Sequence, residues 1–104
     1  MATIDDLNKI EIKIGKVIFA EKVENTDKLI RLEVDFGDEK RQIVSGIAEF
    51  YEPENLAGKE FPFITNLDYR RFKGIESQGM ILAAKTADGK PALLRPEEDV
   101  PPGS

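Results

Sequence analysis

The chain has 104 residues, 40% of them hydrophobic, with 15 Lys and Arg against 20 Asp and Glu and a formal net charge of −5. That length fits one domain, residues 1–104, around a thin but workable core. With no Cys and no His, disulfides, thiolate chemistry, zinc–thiolate sites and every Ser-His or Cys-His arrangement are excluded.

The first six residues, Met1 to Asp6, carry neither a basic nor an apolar leader. No apolar run approaches the ~20 residues that span a bilayer. A soluble, cytoplasmic protein with no membrane association is the expectation. Residues 1–9 read as a lead-in with one helical turn begun by Thr3.

From Ile10 the pattern turns to period two. Ile10, Ile12 and Ile14 alternate with Glu11 and Lys13, and the apolar set then moves to Val17 and Phe19. A β-bulge at Gly15-Lys16 would restore the register and bend this first strand. Glu24 to Asp27 is turn chemistry. Ile30, Leu32, Val34 and Phe36 form a second strand, and a Gly37-Asp38 turn leads to a third over 41–47. Residues 48–56 predict one or two short helical turns, ended by Gly58. Residues 60–67 predict a fourth strand with Phe61, Phe63, Thr65 and Leu67 on one face, and Pro62 suggests an edge or a bulge. Residues 66–79 read as a loop, 80–84 as a fifth strand, 87–89 as a turn and 92–94 as a short strand-like piece. The Pro- and Glu-rich tail from Pro96 reads as extended.

Five strands, a bent first strand and a short helix between strands three and four predict an all-β OB-fold, a five-stranded Greek-key barrel. Its usual ligand surface is the face of strands two and three, rimmed by the loops between strands one and two and between strands four and five. Here those loops are 23–28 and 66–79. The second contains Arg70, Arg71 and Lys73, a local concentration of positive charge in an acidic chain. Such cations meet phosphates or stack on bases, and Gly74 permits close backbone approach. Ser77 and Gln78 offer donors and acceptors, and Met80 a soft apolar contact. A solvated loop whose arginines balance Asp68 and Glu76 is the competing reading. In the first loop Asn25 and Lys28 supply an amide and a cation, with a plain Asx-type turn as the alternative. Arg31 and Arg41 lie on or beside the hairpin of strands two and three, and the direction of Ser45 is open. The acids at 52, 54 and 97–99 are too scattered for a metal cage or an acid/base pair.

The runs DKL at 27–29, RQIVSGIAEFY at 41–51, GIESQGMILAA at 74–84 and VPPGS at 100–104 resemble one family. It is the tRNA-binding domain found at the C-terminus or as the β-subunit of methionyl-tRNA synthetases and as stand-alone dimeric tRNA-binding proteins. The resemblance covers about residues 8–104. It implies an OB-fold without catalysis or cofactor, shape recognition of the outer corner of tRNA, a homodimer, and association with the synthetase's catalytic chain. Carried across, the tRNA-binding positions are Asn25, Lys28, Arg41, Ser45, Lys73, Ser77 and Met80, with Arg31, Arg70, Arg71 and Gln78 as additional contacts. Where the family often has a histidine–proline pair, this chain has Val23-Glu24. The alternative is a protein-interaction module resembling the export chaperone CsaA.

Overall fold

The computed structural model describes all residues, 1–104. Thr3 opens the helix α1 (Ile4–Asn8) with a reciprocal cap. Its Oγ1 accepts the Asp6 amide at 3.2 Å, and its own amide donates to the Asp6 carboxylate at 3.0 Å. No residue of α1 is buried.

The main sheet contains β1 (Ile12–Lys22), β2 (Ile30–Asp35), β3 (Lys40–Ser45), β4 (Glu60–Ile64) and a two-residue fifth strand at Met80–Ile81. A 3-10 turn at Pro53–Asn55 provides the predicted helical piece between β3 and β4. Two short strands, β5 (Arg70–Phe72) and β6 (Ile75–Ser77), then form their own hairpin. The fifth strand of the main sheet is β7 (Met80–Ile81), which pairs with β4. The sheet order is β3-β2-β1-β4-β7, all antiparallel. A last hairpin joins β8 (Ala83–Lys85) to β9 (Pro91–Leu93). Tyr51 pins it: the phenol donates to the Pro91 carbonyl at 3.3 Å and accepts the Leu93 amide at 3.1 Å.

Alternation in β2 sends Ile30, Leu32 and Val34 inward, where they meet Val17, Ile43, Leu56, Phe61 and Phe63 in one core. Phe36 and Phe63 meet edge to face with ring centroids 5.5 Å apart.

Several expectations are corrected by the register. The β1–β2 slip falls between Val17 and Phe19, not at Gly15-Lys16. The inward set passes from Val17 to Ala20, so Phe19 faces out beneath the Arg31 guanidinium, 5.5 Å from its ring centre. Gly15 serves a different need: a Cβ there would collide with the side chains of Val34 and Phe36. Ile10 and Ile12 are exposed. β4 stops at Ile64, and Leu67 is exposed. Pro62 lies on an interior strand, between β1 and β7. Its carbonyl accepts the Leu82 amide at 3.0 Å, so its missing N–H falls where the β4–β7 ladder ends and the chain breaks into β7 and β8.

The tail is a strap. Ile14 donates its amide to the Ser104 carbonyl and accepts the Gly103 amide, both at 2.7 Å. The buried Glu60 carboxylate accepts the Val100 amide at 2.9 Å.

Candidate nucleic-acid interface

The segment predicted as a loop over 66–79 contains the β5–β6 hairpin. Its tip is the two-residue turn Lys73-Gly74, with φ of 53° and 82°. Positive φ at both central positions matches the twist of a tight hairpin. Side chains at paired positions share a face. Arg70, Phe72, Ile75 and Ser77 therefore lie on one face of the hairpin, and Arg71 and Glu76 on the other.

The hairpin is fastened to β3 mainly through side chains. Ser77 is only 3% exposed; its Oγ accepts the Val44 amide at 3.0 Å and donates to the Gly79 carbonyl at 2.9 Å. Gln78 Oε1 accepts the Gln42 amide at 3.0 Å, while the Gln78 amide donates to the Gln42 carbonyl at 2.8 Å. Gln42 Nε2 donates to the Glu76 carbonyl at 2.8 Å. These bonds stand in for the strand ladder that would otherwise close the barrel. Gly79 lets the chain pass close to its neighbours, since a Cβ there would lie 3.0 Å from the Ile64 carbonyl oxygen and 3.2 Å from Ile43.

Arg41 locks the same seam. Its side chain is 15% exposed, with Nη1 donating to the carbonyls of Thr65 at 2.6 Å and Gln78 at 3.0 Å, and Nε to Glu39 at 2.7 Å. The guanidinium bond holds the Glu39 carboxyl below its ordinary range, and Glu39 in turn raises Arg41. The start of the segment is tied down as well: Asn66 Oδ1 accepts the Glu11 amide and Nδ2 donates to the Lys9 carbonyl, both at 2.8 Å. Thr65 Oγ1 donates to the Glu11 carboxylate at 2.5 Å, which with Lys13 holds that group below its usual range.

Around the hairpin tip lie two open grooves. One, of about 370 Å³, is lined by residues 25–29 and Lys73, bringing Asn25, Lys28 and Lys73 together. The other, of about 380 Å³, joins Arg31 and Lys73 with Lys22, Glu21, Glu24 and Ile75. A slot of about 70 Å³ lies against the hairpin and collects Arg70, Ser77 and Met80 with Val44, Leu67, Asp68 and Phe72. Arg41, Ser45, Arg71 and Gln78 line none of the three, and Arg71 instead donates from Nη1 to the Gly74 carbonyl at 3.2 Å. Ser45 is half-buried at the end of β3, opposite Ile30.

Lys28, Arg70, Arg71 and Lys73 make no ion pair, whereas Arg31 and Arg41 are paired with Glu21 and Glu39. The lip therefore offers unneutralised cations, while Arg41, Ser77 and Gln78 are spent on holding it. Sequence reasoning missed Leu67, Asp68 and Phe72 as part of this surface. The available signal was the hairpin pattern itself, Phe72 and Ile75 flanking Lys-Gly.

Fold and lip together define a small OB-type β-barrel with a cationic rim built on one hairpin. The chain belongs to the tRNA-binding domain family, whose model, described as "Putative tRNA binding domain", matches residues 12–104. It is 55% identical over 102 residues to the methionine–tRNA ligase of Archaeoglobus fulgidus and 52% identical over 102 residues to that of Thermotoga maritima. The matches cover 98% of this chain but 15% and 16% of those enzymes. Among solved structures, a methionyl-tRNA synthetase-related protein from Pyrococcus horikoshii matches with a TM-score of 0.96 at 48% identity, over 100% of this chain and 95% of that one. The chaperone CsaA of Bacillus anthracis matches with a TM-score of 0.91 at 32% identity, over 100% and 96%.

Proposed function

We propose that this chain is a non-catalytic, cytoplasmic module that binds folded tRNA by shape. It acts in trans, or beside or attached to the catalytic chain of a methionyl-tRNA synthetase. One observation carries the reading: in an anionic chain of this family, unpaired Lys28, Arg70, Arg71 and Lys73 gather around one hairpin and its grooves. Folded RNA is read largely through phosphates, 2′-hydroxyls and splayed bases, and this rim supplies cations, an amide and apolar contacts for each. Asn25, Lys28 and Lys73 form the central contact. Arg31, Ser45, Arg70, Arg71 and Met80 extend it, and Arg41, Ser77 and Gln78 act by fixing the hairpin. A homodimer through the segments around the barrel ends and the C-terminal part completes the reading, and exposed Ile4, Leu7, Ile10 and Ile12 add apolar surface in its support.

Size-exclusion chromatography with and without total tRNA tests binding and oligomeric state together. The expected result is a tRNA complex that Lys73→Ala weakens with the fold intact; binding equal to wild type overturns the site.

The chaperone reading has one feature in its favour. A recess of about 340 Å³ combines Tyr51, Leu56, Phe61 and Leu93 with the cations Lys59 and Arg95. Competition between tRNA and an unfolded acidic peptide distinguishes the two readings.

A further inference from the structure

We infer that the slot against the β5–β6 hairpin takes the edge of one unpaired guanine base. This inference rests on the tRNA-binding reading above and names a subsite within it. The walls are apolar: Val44, Leu67, Phe72 and Met80. Leu67 and Met80 remain 42% and 44% exposed, an apolar surface that the folded chain leaves open beside its cations. The Arg70 guanidinium stands over the Phe72 ring, 5.1 Å from its centre. A planar cation held in that way continues a stack onto a base.

Asp68 selects among the bases. It is exposed, forms no ion pair although Arg70 and Arg71 follow closely, and lines the slot. A carboxylate repels phosphate, so the slot is not a backbone site. It accepts hydrogen bonds only, through two oxygens. Guanine alone among the four bases presents two adjacent donors on its Watson–Crick edge, N1–H and N2–H₂. In each of the other three every donor on that edge stands beside an acceptor, which would be set against the carboxylate. The small volume suits the edge of a base rather than a whole nucleotide.

Kethoxal, which adds across N1 and N2 of unpaired guanine, reads this edge directly. A purified tRNA transcript is probed free, then saturated with wild-type chain, Asp68→Asn or Lys73→Ala. The expected result is one unpaired guanine protected by wild type and reactive again with saturating Asp68→Asn. Binding of tRNA with no guanine protected, or protection that survives Asp68→Asn, overturns the slot while leaving the tRNA reading intact. A transcript that wild type does not bind overturns both. Lys73→Ala, which leaves the slot's walls in place, weakens binding and retains the protection once saturation is reached at low salt; loss of protection at saturation overturns the slot assignment.

Discussion

Asn25 and Lys73 are the two non-glycine residues with left-handed backbone, at φ of 63° and 53°, and both border the same groove. For lysine that conformation costs roughly 1–2 kcal/mol, while asparagine tolerates it better. Two such residues converging on one surface mark it as a place where position was kept at the expense of local comfort.

Lys73→Gly separates those demands. Glycine adopts the turn without strain but loosens the unfolded chain by roughly 0.5–1 kcal/mol relative to alanine. Urea unfolding is expected to give a stability within about 1 kcal/mol of wild type. Titration with tRNA should show weaker binding because the ammonium is gone. Wild-type affinity in this variant would remove Lys73 from the interface.

Arg41 and Lys73 are expected to fail in different ways. Lys73→Ala removes one phosphate contact and flattens the log–log salt dependence of binding by about 0.7–0.9. Arg41→Ala leaves the carbonyls of Thr65 and Gln78 without their donor, costing about 1–3 kcal/mol of stability. Its affinity for tRNA falls with the slope unchanged. A flatter slope for Arg41→Ala would show that the guanidinium leaves the seam to meet RNA.

The Glu39–Arg41 bond also sets a pH dependence. Glu39 titrates below its ordinary value of 4.5 because Arg41 donates to it. The bond's stabilisation is therefore complete above about 4.5, the unfolded value, and is lost as pH falls through the lower folded value. The protection factor of the Gln78 amide should fall over that acidic window as the Glu39 carboxyl titrates by NMR. Glu39→Gln should remove the step; an unchanged exchange profile in that variant would refute the link.

Gly103→Ala tests the strap. Gly103 has φ of 94°, and a Cβ there would collide with the Phe36 carbonyl oxygen. The variant should lose hydrogen-exchange protection at the Ile14 amide, which donates to Ser104, while Phe63 at the core stays protected. Retained protection at Ile14 would show that the tail tolerates the side chain.

The barrel was legible because β2 alternates cleanly and turns separate the strands. The bulge was misplaced because Gly15 has a second cause, the close approach of Val34 and Phe36, that no local pattern reveals. The β5–β6 hairpin is hidden in the sequence because its turn is Lys73-Gly74, and lysine is an uncommon resident of positive φ. GIESQGM was recognisable as a string, yet the work of Ser77 and Gln78 depends on Val44 and Gln42, more than thirty positions away. The fastening role of Ser77 was hidden for the same reason: a polar side chain in sequence does not declare that one of its partners is a distant amide.

Closing β3 with side chains rather than another strand has a consequence for behaviour in crowded solution. The amides of Gln42 and Val44 are capped by groups that no foreign strand can extend. Substituting both Ser77 and Gln78 with alanine would bare that flank, turning a private fastening into a template for fibrillar growth.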